Sequence, residues 1–353
     1  MPSPYHYMGL YLDSGYVNID FIINQHMPFN FLVGGRGTGK TYSSLDYVVK
    51  NKIKFMFMRR TQSQLDLINK DEFSPFKPLN IDKGYRLMQK ALSKYNAGVY
   101  DAEVDIHGKW HAIGLPIGYT CALSTVSNLR GFDTSDVRII IYDEFIKEPH
   151  EKPLREEGRA FLNAYETMNR NRELTGHEPI QVLCLANAND MGNPIFMELG
   201  LIDKAERMQR NGQTISIMKE RGIGIYLLSD SLISEKKKET ALYKLVNDDV
   251  STFSQMALAN KFGEINDDAV GAKNLKEYRP LLKIGEVTIY KHKSDNTYYI
   301  STHASGDVLK YSVSEIDRER FRRKYGYLYD AYLNKRIIFE TSTCEIMFNK
   351  YYE

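Results

Sequence analysis

Cysteine is scarce in this chain: 353 residues hold only Cys121, Cys184 and Cys344, odd in number and far apart. That spacing excludes a disulfide framework and a CxxC zinc pair, and it fits a reducing compartment. Long apolar runs are missing too. None approaches the roughly 18 residues that span a bilayer, and the first twenty residues are polar and tyrosine-rich where a secretory leader needs a basic patch and an apolar core. No membrane partner is expected. Nor does one sign of charge dominate: 47 Lys and Arg stand against 45 Asp and Glu, so any polyanion-binding surface must be local. What is present is ordinary globular composition, 42% hydrophobic and 26% charged, in a chain long enough for two domains, which argues against disorder, coiled coil or collagen.

Between about residues 29 and 186, short apolar runs alternate with longer periodic stretches, as in strands joined by helices in a mainly parallel sheet. The strand candidates are 29–33, 55–58, 139–142 and 182–186, each rich in β-formers or bulky apolar residues. Residues 42–49 read as a helix. Residues 156–168 read as another, because Ala160, Phe161, Ala164, Tyr165 and Met168 fall on one face. A helix over 201–210 and an apolar run at 223–228 lead to a lysine-rich stretch at 234–240, taken as the domain boundary. The remainder reads as α+β, with strands at 283–292, 297–302 and 308–313 and a basic helix over 314–325.

Gly34-Gly35-Arg36-Gly37-Thr38-Gly39-Lys40-Thr41 satisfies the P-loop pattern G-x-x-x-x-G-K-[ST], after a predicted strand and before a predicted helix. Glycines let backbone N–H groups curl around phosphate oxygens, Lys40 reaches the β and γ phosphates, and the Thr41 hydroxyl ligates Mg²⁺. The apolar run Ile139-Ile140-Ile141-Tyr142 ends in Asp143 and Glu144. Asp143 is the expected second Mg²⁺ ligand and Glu144 the residue that activates water. The predicted strand 182–186 runs into Asn187-Ala188-Asn189, so Asn187 is placed to sense the γ-phosphate or to position water. Arg170 and Arg172, between helix and strand, are candidates to reach a neighbour's nucleotide. Lys90, Lys94 and Arg130, between the second and third strand runs, are the basic candidates for contact with a polyanion.

These motifs, with Ser127-Asn128-Leu129-Arg130-Gly131, Asp143-Glu144-Phe145 and the stretch from Phe161 through Asn169-Arg170-Asn171-Arg172-Glu173 to Ala188, resemble the DNA-packaging (encapsidation) ATPases of small, short-tailed, protein-primed phages, compact relatives of terminase large subunits. The resemblance covers about residues 25–200. It implies an α/β P-loop ATPase of the additional-strand, catalytic-glutamate class over 1–200, a linker or lid over 201–235, and over 236–353 a smaller α+β domain, RNase H-like and nuclease-inactive. It also implies a homopentameric ring, in the host cytoplasm and transiently at the portal vertex, that uses ATP and Mg²⁺ to drive double-stranded DNA into a preformed capsid. By the same resemblance, Arg170 acts in trans with Arg172 as the alternative finger, Gln25 bonds the adenine edge, and the carboxy-terminal domain docks to the capsid vertex or a packaging RNA. Another P-loop translocase or helicase, or a terminase with a working nuclease, shares the same motifs. Against an active nuclease stands the stretch from 286 to 323: its aspartates Asp295, Asp307 and Asp317 are dispersed, its candidate first strand carries one acid, Glu286, at its edge, and Arg318, Arg320, Arg322 and Arg323 flank Asp317.

Overall fold

A computed structural model describes residues 9–129, 133–148, 151–152, 154–188, 191–228, 240–241, 270–303 and 306–352. The chain divides into two compact units, one taking the described residues up to 198 and from 208 to 241, the other 199–207 and 270–352. In the first unit α1 (Ile19–Ile23) precedes β1 (Phe29–Gly34), α2 (Lys40–Lys50), β2 (Phe55–Arg59), α3 (Gln62–Ile68) and α4 (Lys77–Lys83). There follow β3 (Leu87–Ala91), β4 (Ala97–Val104), β5 (Trp110–Ala122), β6 (Ile139–Asp143), α5 (Glu157–Asn169), β7 (Gln181–Ala186) and α6 (Pro194–Glu198). After α7 (Ile202–Arg210), whose first residues group with the second unit, β8 (Ile215–Met218) and β9 (Ile223–Leu228) complete the sheet.

The sheet runs β3-β4-β5-β2-β6-β7-β1-β9-β8. From β5 to β9 every pairing is parallel, while β3, β4 and β8 add antiparallel edges. Strands buried on both faces need apolar residues at successive positions, and β6 (Ile139, Ile140, Ile141, Tyr142) supplies them. Leu32, Phe57, Ile141 and Leu183 enter one core layer. On the other face Phe31 meets Phe145 and Phe196 at 5.7 and 5.4 Å between ring centres. The four strands expected from the sequence all lie in this parallel core, with β7 between β1 and β6. The segment read as a linker or lid over 201–235 departs from that reading. Its apolar run is β9, paired along the whole of β1 from Phe29↔Ile223 to Gly34↔Leu228, because six consecutive buried residues find their partner only inside a sheet.

The ladder of β4 with β5 outruns its neighbours. β2 pairs β5 from Gly118 to Ala122 and β3 pairs β4 from Ala97 to Asp101, whereas β4 and β5 continue to Val104↔Trp110 as a two-stranded ribbon. Asp105 builds its tip, accepting from the backbone N–H groups of His107 and Lys109 at 2.8 and 3.0 Å. Ile106 there is 95% exposed, and Trp110, the one tryptophan of the sequence, is partly exposed opposite Val104 in the last pair of the ribbon.

The second unit holds β10 (Tyr278–Ile284), β11 (Val287–His292), β12 (Tyr298–Ser301), β13 (Leu309–Tyr311), α8 (Glu315–Leu333), β14 (Ile337–Phe339) and α9 (Ser342–Asn349). Its sheet order is β13-β10-β11-β12-β14. The single strand read over 283–292 is a tight hairpin, turned at Gly285 with φ +51°, a conformation glycine adopts without a Cβ clash. The helix read over 314–325 continues to Leu333 through a kink at Tyr325. The boundary placed at 234–240 lies outside the described residues except for Thr240.

Candidate functional site

The parallel register brings three strand ends to one level. Leu32 pairs Leu185 and Leu185 pairs Asp143, so the loop after β1, the tip of β6 and the tip of β7 face one crevice at the carboxyl ends of the strands, where open α/β sheets bind ligands. Gly37 and Gly39 turn the loop with φ of +80° and +78°. A Cβ at Gly39 would stand 2.7 Å from the Tyr16 ring, and Val17 N–H donates to Thr38 O at 3.0 Å, so the segment before α1 braces the loop from outside.

Lys40 opens α2 almost fully buried, its Nζ donating to Gly34 O at 3.0 Å and Gly35 O at 2.8 Å. The Thr41 hydroxyl donates to Asp143 Oδ1 at 2.8 Å. Lys40, Thr41 and Asp143 thus provide an ammonium, a hydroxyl and a carboxylate within one cleft, the hard oxygen donors and counter-charge that Mg²⁺ and a triphosphate require. Burial pushes the Asp143 carboxyl above its ordinary value, Arg59 pulls it back down, and the neighbouring Glu144 charge adds to the rise.

Arg59 is a residue the sequence reading missed. It ends β2, pairs with Asp143 Oδ2 at 3.0 Å and also pairs with Glu144. Glu144 itself has φ +57°, a left-handed backbone that side chains with a Cβ rarely adopt and that is strained by about 1–3 kcal/mol. The signal that could have found Arg59 is an arginine pair closing an apolar strand, Phe55-Met56-Phe57-Met58-Arg59-Arg60, since a strand end at this crevice delivers its last side chain to the ligand. Arg60 points elsewhere. It is fully buried and bonds Glu157 bidentately at 2.7 and 3.0 Å and Glu151 at 2.9 Å.

Asn187 lies at the mouth of the loop, its Oδ1 3.5 Å from Lys40 Nζ and its Nδ2 3.5 Å from Glu148 Oε1. The same Glu148 oxygen accepts from Arg36 Nη2 at 2.8 Å. Glu148, four residues beyond Glu144, was also missed, because a lone acid in a mixed-charge loop gives no periodic or motif signal.

Other candidates are not brought to the crevice. Gln25 lies at the amino end of β1: it donates to Phe21 O at 3.2 Å, and nearby Pro28 O accepts from Val182 N–H at the start of β7. The adenine role expected of it has no geometric support, since a strand of six residues, about 17 Å, separates it from the loop. Arg170 caps the carboxyl end of α5 at φ +50°, exposed, also at the amino ends of β6 and β7. Within one chain it is remote from Lys40. Arg172, the alternative finger, is buried and donates to Ser135 O at 2.6 Å, so it anchors the fold and is not presented outward. Lys90 and Lys94 are exposed near the β3–β4 turn, and Arg130 lies outside the described residues.

The profile of the podovirus DNA encapsidation protein family (Gp16) matches residues 12–284. The chain belongs to that family. A DNA packaging protein of Bacillus phage phi29 is 25% identical over 240 residues, covering 66% of this chain and 61% of the relative. That of Bacillus phage B103 is 26% identical over 247 residues, covering 68% and 65%. The matches therefore span less than two thirds of these encapsidation proteins. A solved structure of the bacteriophage phi29 genome packaging motor assembly has the same fold, with TM-score 0.62 and 18% identity over 95% of this chain and 99% of the other.

Proposed function

We propose that this chain is an ATP-hydrolysing motor that translocates double-stranded viral DNA through a portal into a preformed capsid. The observation that carries the reading is the Thr41–Asp143 hydrogen bond beside buried Lys40, in a chain of the encapsidation family. A strand between the P-loop strand and the acid-bearing strand, here β7, supports the additional-strand, catalytic-glutamate class.

ATP with Mg²⁺ supplies the transferable phosphoryl group. Lys40 would counter-charge the phosphates, Thr41 and Asp143 would hold the metal, and the loop 34–39 would wrap the phosphate chain with its N–H groups. Glu144 orients water and receives its proton once Arg59 lets go of its carboxylate, and Asn187 senses the γ-phosphate. Arg170, remote from its own Lys40, serves a neighbouring subunit in a homopentameric ring. That ring works in the host cytoplasm and at the portal vertex.

The second unit fits a nuclease-inactive, RNase H-like docking domain. Asp295 is occupied by its own turn, accepting from Thr297 N–H at 2.9 Å, and the Asp317 carboxylate accepts from Ser312 N–H at 2.9 Å and Ser312 Oγ at 2.6 Å. Among the described residues no three His, Cys, Asp or Glu side chains converge on a metal position. Lys310, Arg320, Arg323 and Lys324 line a groove of about 440 Å³ beside Leu309 and Tyr311, suited to a packaging RNA or an acidic surface of the capsid vertex.

ATPase activity measured with procapsids, with duplex DNA and with both tests the function. Strong stimulation only by the pair is expected. Unwinding of duplexes without capsids would point to a helicase, and metal-dependent nicking of plasmid DNA to a terminase with a working nuclease.

A further inference from the structure

One carboxylate oxygen gathers Asn187, the γ-phosphate sensor of the reading above, and the one arginine side chain of the phosphate loop. Glu148 Oε1 accepts from Arg36, a residue of the phosphate loop, at 2.8 Å and lies 3.5 Å from Asn187 Nδ2, behind which stands the Lys40 ammonium. The carboxylate is not a wandering surface group. Its side chain is only 26% exposed, and its backbone N–H donates to Glu151 Oε2 at 3.2 Å. Glu151 is in turn fixed by Gln64 at 2.7 Å and by fully buried Arg60 at 2.9 Å. The anchor holds a negative charge at the mouth of a loop whose chemistry is the capture of negative charge.

We propose that Glu148 is a built-in phosphate surrogate: it occupies Arg36 and Asn187 when the γ-phosphate is absent, is displaced when ATP binds, and returns to them when phosphate leaves. The proposal rests on the nucleotide-pocket reading and adds a competitor to it. A γ-phosphate carries more charge than one carboxylate and so wins the exchange, but each ATP bound must first break the Arg36–Glu148 pair. ADP has no γ-phosphate and leaves that pair intact. Glu148 therefore weakens ATP selectively, and its return gives the released phosphate a rival for the same donors.

Full-length protein with Glu144→Gln, which binds without turnover, supplies the background for the test. ATP and ADP dissociation constants are measured by calorimetry with and without Glu148→Gln, whose amide oxygen still accepts from Arg36 while its charge is gone. ATP binding should tighten by about 3- to 5-fold, the scale of a partly exposed ion pair, with ADP binding nearly unchanged. Glu148→Ala should shift the ratio in the same direction. With Glu144 intact, Glu148→Gln should slow single-turnover phosphate release. Equal changes for ATP and ADP, no change, or weaker ATP binding in both variants would reduce Glu148 to a loop anchor and overturn the proposal. Lys40→Ala in the same assay separates the two levels: if it binds ATP as well as its parent, the pocket reading itself fails.

Discussion

Arg59 faces two carboxylates that need opposite things from it. Asp143 is buried and the guanidinium favours its ionised form, while Glu144, if it activates water as proposed, has to leave that guanidinium. Removing Arg59 leaves only the Thr41 hydrogen bond and the Lys40 charge to oppose burial, the Asp143 carboxyl rises further, and its ionised form exists only at higher pH. The acid limb of the ATPase pH profile in Arg59→Gln is therefore expected to move to higher pH at fixed Mg²⁺. A limb at the wild-type position would show that Arg59 does not set Asp143 ionisation. Lys40→Ala should abolish ATP binding, whereas Glu144→Gln should retain binding and lose turnover, because only the second change leaves the phosphate cradle intact. Gln25→Ala should leave ATP over GTP preference unaltered, since Gln25 serves its own helix end at the far side of the sheet. The phosphate loop and acid pair were legible because each is a contiguous string with a fixed mechanism. Arg59 and Glu148 were not, because their roles arise from strand register and a loop's return path, which no local pattern encodes.

Among the elements, α5 is fastened at one end by charge and offers charge at the other. Arg60, without solvent exposure, clamps Glu157 in its first turn, and Arg170 caps its last. A buried pair broken on one side leaves an uncompensated charge, so Arg60→Met should destabilise the first unit by about 3–5 kcal/mol. The double change Arg60→Met with Glu157→Met should recover much of that loss, since well-packed apolar replacements remove both desolvation penalties. Denaturant melts of these two variants and of Glu157→Met alone check this, and additive losses would show that the two residues are uncoupled. The helix periodicity that located α5 is carried by its core face, whereas β9 was taken for part of a linker. Its six apolar residues read equally well as strand or connector until β1 supplies the partner, and Gly285 likewise hid a hairpin inside what read as one strand.

For the whole molecule, if Arg170 serves a neighbouring subunit as proposed, hydrolysis is a property of neighbours. Arg170→Ala should be nearly inactive, by about 10³-fold or more if it acts as an arginine finger. Mixing Arg170→Ala subunits with Glu144→Gln subunits should restore part of the activity, because some interfaces then join an intact Glu144 to an intact Arg170. Failure at every mixing ratio, with assembly verified, would assign Arg170 a structural role. The ribbon of β4 and β5 bears on how such assemblies can be watched. Its Trp110 is the sole indole in the sequence, so emission excited at the red edge, where the 25 tyrosines do not absorb, is a single-site optical signal originating on that ribbon. A blue shift during assembly would report the ribbon passing from water into a contact, without any label attached.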